Sequence, residues 1–359
     1  MKLRYYITGH GLGHVSRSCL ILQHLRELCP QVVIEVCTTA PPWFLRQQLP
    51  STVPIRSLSF DLGVIQRDSL DIDADQTLWA CQSLLAERTD LLRQERDDLL
   101  ASGVTLVAAD IPAVPLRAAH DAGIPALGIA NFTWDWIYAG MVKQHPEFTE
   151  IAKVFREDYS CATAMLRLPF HGVFPHPEMV HELPLVARCA ETSPDVIRSR
   201  LGVDEEVRLG LISFGGFGLD KINLAPLARR KDWLFLSERA IGAGVDNVRQ
   251  LAVGEFAYPD LVAAADVVIT KPGYGIISEC IANKTAVLYT SRGDFREEPL
   301  LIEGLERYAR SLFIENEDLR QGAWFPLLDQ LLTLPVPEGS LATNGAKVTA
   351  QFLLESLEG

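Results

Sequence analysis

Three glycine-rich segments carry the chemistry that can be read in this sequence, because each follows an apolar run and opens a helical one. They are Gly9-His10-Gly11-Leu12-Gly13-His14, Ser213-Phe214-Gly215-Gly216-Phe217-Gly218 and Lys271-Pro272-Gly273-Tyr274-Gly275-Ile276-Ile277-Ser278-Glu279. A glycine turn between strand and helix lets the backbone approach a ligand and aims the first helical N–H groups at it, which suits a diphosphate. The first loop also holds two histidines, His10 and His14, at the carboxyl edge of a parallel sheet, where open α/β sheets take their ligands. In the third loop Glu279 falls about one turn inside the helix, where a carboxylate can accept hydrogen bonds from both hydroxyls of a ribose. Position 14 is a histidine where the dinucleotide fingerprint requires a small residue, and no GK[ST] follows, so neither an NAD nor an ATP motif is complete.

Such loops need strands ahead of them and helices behind. In the first half, β-rich runs at 3–8, 32–37, 53–60, 104–109 and 125–130 alternate with helical periodicity. One long helix is predicted over about 75–102, on the spacing of Leu78, Cys81, Leu84, Leu85, Leu91, Leu92 and Leu99. The alternation restarts with strands at 208–214, 233–237, 267–270, 286–289 and 311–314 and helices at 259–265, 274–283 and 297–309. Alternation of this kind predicts parallel sheets covered by helices, here in two Rossmann-like domains. Residues 168–184 hold four prolines without sustained periodicity and read as the interdomain linker. The expected division is 1–175, 176–340 and a terminal amphipathic helix within 341–359 that either finishes the second domain or crosses back to the first.

Composition narrows the function classes. Hydrophobic residues are 48% and charged residues 22%, values of an ordinary folded chain, and 359 residues suffice for two cores. The net charge of −13 opposes binding to nucleic acid or anionic membranes through the overall field, so any phosphate must be held locally. Seven scattered cysteines without a CxxC pair fit a reducing cytoplasm, and no apolar run is long enough to insert in a membrane. His171, His176 and His181 recur every five residues, which places them on one face of neither a helix nor a strand, so no metal site is expected there.

With those loops in place, the sequence resembles the GT-B glycosyltransferases, in particular the MurG and UDP-glucuronosyltransferase-like group. More closely, TGHGLGH at 8–14, NFTWDWIY at 131–138, EDYS at 157–160, KPGYG at 271–275 and FREEP at 295–299 resemble the amino-terminal, glycosyltransferase-like half of plant L-arabinokinase, over nearly the whole chain. The sequence has no counterpart of that protein's sugar-kinase half, so kinase activity is not expected.

The resemblance implies an α/β GT-B fold whose two parallel sheets face a cleft, a donor nucleotide on the second domain and an acceptor on the first. Glu279 would hold ribose, the backbone at Gly216 and Gly275 the diphosphate, and the backbone near Phe256 the base, with Gly215, Gly273 and Tyr274 also in the donor site. Glu297 and Glu298 would bind hydroxyls of the donor sugar, or else form a solvated helix start; adjacent carboxylates seldom converge on one glycosidic bond, which disfavours a glycosidase. His14 matches the catalytic histidine of the group and Asp110 the aspartate that orients it, although His14 donating to donor phosphates is an alternative. Gly11, Gly13, Arg17 and Asp135 fall on the acceptor side. Arg17 stands where the group has a proline, and its guanidinium would pair with a carboxylate or phosphate of the acceptor or lie on the surface; Asp135 would line the acceptor pocket or simply pack.

The function implied is metal-independent, inverting transfer of a sugar from a nucleotide sugar, UDP-linked by the resemblance, to an acceptor hydroxyl, with no further cofactor. A nucleotide-sugar 2-epimerase and a catalytically silent nucleotide-sugar sensor are the alternatives.

Overall fold

The computed structural model describes residues 1–66, 72–214, 222–238, 245–293 and 295–359. The chain divides into two compact units. The first joins residues 1–66, Ile72–Val186 and Ala342–Gly359, and the second is Ala187–Leu341.

The first unit holds seven parallel strands: β1 (Lys2–Ile7), β2 (Val33–Cys37), β3 (Ile55–Arg56), β4 (Leu106–Asp110), β5 (Ala126–Ala130), β6 (Ala164–Arg167) and β7 (Val180–Glu182). Their order is β3-β2-β1-β4-β5-β6-β7. Connecting them are α1 (Leu12–Leu28), α2 (Pro42–Arg46), α3 (Ala74–Ala101), α4 (Val114–Asp121), α5 (Trp134–Ala139) and α6 (Phe148–Tyr159). Every residue of β4 and β5 is buried, as expected of central parallel strands covered on both faces, and this is why they read as short unbroken apolar runs. The long helix α3 starts where Asp73 accepts the Gln76 N–H at 3.0 Å. Its leucine stripe is only partly buried, whereas Glu95 on the same helix is 4% exposed. Arg4 Nη1 donates to that carboxylate at 2.8 Å and the Tyr6 hydroxyl also bonds to it, the pairing without which a buried carboxylate would be costly.

The segment expected to be a linker corrects the predicted boundary. Within it, β7 adds to the sheet beside β6 in register Leu166↔His181, and the first unit continues to Val186 instead of ending at 175. A three-residue edge strand between prolines has too few residues to show alternation, and the edge is where a sheet tolerates proline.

The second unit repeats the plan with β8 (Arg208–Ser213), β9 (Trp233–Ser237), β10 (Val248–Gln250), β11 (Val267–Thr270), β12 (Ala286–Tyr289) and β13 (Ser311–Phe313). These are ordered β10-β9-β8-β11-β12-β13, again all parallel. Its helices are α7 (Pro194–Leu201), α8 (Tyr258–Ala264), α9 (Tyr274–Asn283), α10 (Glu298–Tyr308), α11 (Asn316–Gln321) and α12 (Phe325–Thr333). Trp233 stacks on Phe235 at 5.5 Å, and Phe235 meets Trp324 edge-on at 5.9 Å in the core. The terminal helix α13 (Gly345–Glu358) belongs to the first unit and packs on α1 through a face that includes Ala346, Ala350 and Leu353. Gly345 permits that docking, since a Cβ there would lie 2.2 Å from the Pro184 carbonyl oxygen.

Both sheets are therefore doubly wound in the same sense. Strand order reverses between β1 and β4 in one and between β8 and β11 in the other, the points at which such sheets open a crevice for ligands.

Candidate functional site

At the first reversal Ile7 of β1 pairs with Asp110 of β4, so the loop after β1 lies beside the end of β4. Gly11 begins α1 with a φ of +96°, which L side chains rarely adopt, and Gly9 passes so close to Thr39 that a Cβ would fall 2.2 Å from its hydroxyl oxygen. On α1, His14, Arg17 and Ser18 are three and four residues apart, the spacing that puts side chains on one helical face. All three reach Asp110. His14 Nδ1 lies 3.0 Å from Asp110 Oδ1, Arg17 Nη2 donates to Oδ1 at 2.5 Å and Nε to Oδ2 at 2.7 Å, and the Ser18 hydroxyl donates to Oδ2 at 2.7 Å. Asp110 is completely buried. Burial alone would raise its pKa, but the Arg17 charge and the bonds from Arg17 and His14 hold it well below the usual carboxylate range. An ionised carboxylate only accepts, so the proton shared in this contact belongs to His14 Nδ1.

Around this pair the aromatic run after β5 forms a wall. The His14 ring meets Phe132 edge-on at 5.9 Å, Phe132 meets Trp134 at 5.1 Å, and His10 meets Trp134 at 5.7 Å. Trp134 Nε1 donates at 2.8 Å to Asp61, a buried carboxyl whose pKa is pushed up to about 6 by burial, against the hydrogen bonds from Trp134 and Thr8. Directly after Asp110, Ile111 adopts φ +83°, and its carbonyl accepts the Tyr159 hydroxyl at 2.7 Å. A positive φ at a β-branched residue is strained backbone, held here by that buried bond.

In the second unit, α9 starts directly after β11. Gly273 precedes its first turn in an extended conformation, and a Cβ there would meet nothing nearer than 4.0 Å. Glu279, two turns along at most, is 4% exposed, and Arg188 Nε donates to its Oε1 at 2.6 Å. Burial raises the Glu279 pKa while the Arg188 charge counters it. The same guanidinium lies 5.9 Å above the Tyr258 ring, and the Tyr258 hydroxyl is bonded to that of Ser213 at the end of β8.

No family model matches the chain. Among curated proteins it is 32% identical over 364 residues to L-arabinokinase of Arabidopsis thaliana, an alignment that covers 99% of this chain and 34% of that protein. The chain thus spans about a third of the length of the curated relative it matches. Among solved structures, Phytolacca americana UGT2 complexed with UDP-2fluoro-glucose and pterostilbene superposes with a TM-score of 0.61 at 13% identity, over 99% of this chain and 94% of that one. Acinetobacter baumannii MurG does so with a TM-score of 0.58 at 13% identity, over 99% of each chain. The chain has the GT-B fold.

On this GT-B chain the expected residues fare differently. His14 and Asp110 are brought together. Gly11 turns the backbone into α1, and Gly13 lies in its first turn. Arg17 is not a surface side chain: it is 3% exposed, and besides its two bonds to Asp110 it donates from Nη1 to Asn131 Oδ1 at 2.8 Å, so its guanidinium meets an internal anion. Asp135 is buried in α5 and accepts Arg156 Nε at 3.2 Å. Gly215 and Gly216 lie outside the described residues, and Gly275 is in the first turn of α9 after Tyr274. Phe256 is 8% exposed beneath the Arg200 guanidinium, 4.7 Å from its ring. Glu297 and Glu298 are buried, not a solvated helix start: Glu297 accepts Arg292 Nη1 at 2.9 Å, and Glu298 accepts the Arg292 backbone N–H at 2.8 Å.

Sequence reasoning missed Ser18, Asp61, Arg188 and Arg292. For Ser18 the four-residue spacing from His14 was a usable signal. Arg188 is 91 positions from its partner, and nothing local marks it. Among the described residues no helix is long and apolar enough to cross a membrane.

Proposed function

We propose that the chain transfers a sugar from a UDP-linked donor to an acceptor hydroxyl, inverting the anomeric centre without a metal ion. The observation that carries this reading is the 3.0 Å contact of His14 Nδ1 with Asp110, which directs the proton of the imidazole to Nδ1 and its basic lone pair to Nε2. The acceptor hydroxyl gives its proton to Nε2 as its oxygen forms a bond to the anomeric carbon. The bond from that carbon to the diphosphate oxygen breaks on the opposite face, and its electron pair leaves with UDP.

In the second unit the N-terminus of α9 offers backbone N–H groups and a positive dipole end to the leaving diphosphate. Glu279 accepts ribose hydroxyls while sharing its carboxylate with Arg188. Glu297 and Glu298, anchored through Arg292, bind hydroxyls of the donor sugar, and the backbone near Phe256 meets the base. The solved GT-B protein complexed with UDP-2fluoro-glucose supports this choice of donor.

The test is incubation of the chain with a panel of UDP-sugars and hydroxyl acceptors, read by UDP release and product mass. Acceptor-dependent UDP release with a product heavier by one sugar is expected. A changed sugar without acceptor would make the chain an epimerase, UDP binding without any release would make it a sensor, and tighter binding of NAD than of UDP would sink the reading.

A further inference from the structure

We infer that Arg17 is a positioning residue for the His14–Asp110 pair: its forked guanidinium keeps Asp110 ionised, so that the pair holds one proton, on His14 Nδ1, and Nε2 keeps its lone pair. The inference rests on the proposed role of His14 as base. Its geometric ground is the double bond of Arg17 to both oxygens of a completely buried carboxylate, with the third nitrogen fixed by Asn131 just beyond β5. One side chain thereby ties the ends of two adjacent strands to α1, and places a cation against Asp110 within a buried cluster.

Among the described residues, the other groups facing Asp110 do not replace that cation. His14 and Ser18 on α1 are hydrogen-bond donors. Tyr5 on β1 has a phenol kept protonated first by burial and then by the Asp110 charge itself, and Asp61 beyond β3 adds a like charge. A carboxylate at zero exposure, deprived of its cation, takes up a proton from water. The pair then carries two protons. Either the Asp110 hydroxyl donates to Nδ1 and the ring proton sits on Nε2, or the ring becomes imidazolium with both nitrogens protonated. In both forms Nε2 bears a proton and cannot accept one from a substrate. Arg17 therefore sets the proton count of the pair without touching the reacting atoms.

Nitrogen-15 NMR of the His14 ring near neutral pH reads this directly, with the signals assigned by their loss in His14→Gln. Wild type is expected to show a protonated Nδ1 and an unprotonated Nε2. Arg17→Lys, which keeps the charge, should preserve that pattern. Arg17→Gln should protonate Nε2 and move the acid limb of kcat/KM for transfer upward by at least about one pH unit, while UDP affinity in calorimetry stays unchanged. An unprotonated Nε2 in Arg17→Gln overturns the inference. An Nε2–H ring in wild type also overturns it, and that result is available even if Arg17→Gln does not fold. Because the spectrum needs no substrate, it stands whether or not the chain proves to be a transferase, so the two failures are distinguishable.

Discussion

The two sheets of this chain share a strand order and a reversal point, yet they furnish the two points differently. Where β1 and β4 meet, three side chains of α1 converge on a strand-end carboxylate, and the result is a closed, titratable cluster with one proton to place. Where β8 and β11 meet, no carboxylate ends either strand; Ser213 and Thr270 stand there instead, joined by the Thr270 hydroxyl donating to the Ser213 carbonyl at 2.5 Å. Two buried carboxylates of that unit lie farther along, paired as Glu279–Arg188 and Glu297–Arg292. One strand order thus ends in a buried charge cluster in the first case, where His14, Arg17 and Ser18 share the inner face of α1, and in two hydroxyl side chains followed by a glycine-started helix in the second.

That contrast breaks first at Asp110. Asp110→Asn removes the counter-ion of a buried arginine, which should destabilise the first unit by about 3 to 5 kcal/mol in chemical denaturation and also slow transfer. A loss under about 1 kcal/mol would mean that the Arg17 charge is solvated and the cluster open. Next comes Glu279 in the other unit: Glu279→Ala should weaken UDP binding by roughly 1 to 3 kcal/mol in calorimetry, with no effect on the ionisation of the His14 pair. Unchanged affinity would move ribose recognition elsewhere.

Asp61 sharpens the first half of the comparison, since it is a buried carboxyl beside the aromatic wall held by hydrogen bonds from Trp134 and Thr8. Its folded pKa of about 6 lies above the ordinary 3.8, so the unfolded chain releases the proton first as pH rises. Stability from this group is present at low pH and lost as pH climbs toward and through 6. Asp61→Asn, which still accepts from Trp134, should therefore stabilise the protein by roughly 3 kcal/mol at about pH 8, an advantage that fades as pH falls to about 4. Equal stabilisation at both ends of that range would contradict the account. The smallest expected effect is that of a chelator: excess EDTA should change the transfer rate by less than about twofold, and abolition of turnover would require a metal.

Much of this architecture is legible in the sequence because parallel strands buried on both faces are short apolar runs; 233–237, 267–270 and 286–289 coincide with β9, β11 and β12. The helix after Gly273 is likewise visible, from a glycine start to Asn283. Edge elements are not, as β7 shows among its prolines. At the candidate site, Asp110 is recognisable because it ends a strand, and His14 because it opens the helix after a glycine turn, positions that the fold itself favours for function. The fate of Arg17 is hidden: a buried arginine and a surface arginine on a helix differ only in what the neighbouring strand offers, and Asp110 is 93 positions away. Glu297 and Glu298 look like a solvated helix start for the same reason, until the turn through Arg292 folds over them.

The central claim is that His14 acts as a base on the acceptor and not as a ligand of the donor phosphates. It is tested most directly by measuring, in His14→Ala, the transfer rate at saturating UDP-sugar together with the UDP dissociation constant. The account predicts a rate about 10²- to 10⁴-fold below wild type with nucleotide affinity unchanged. A wild-type rate, or a loss of rate fully matched by weaker UDP binding, would contradict it.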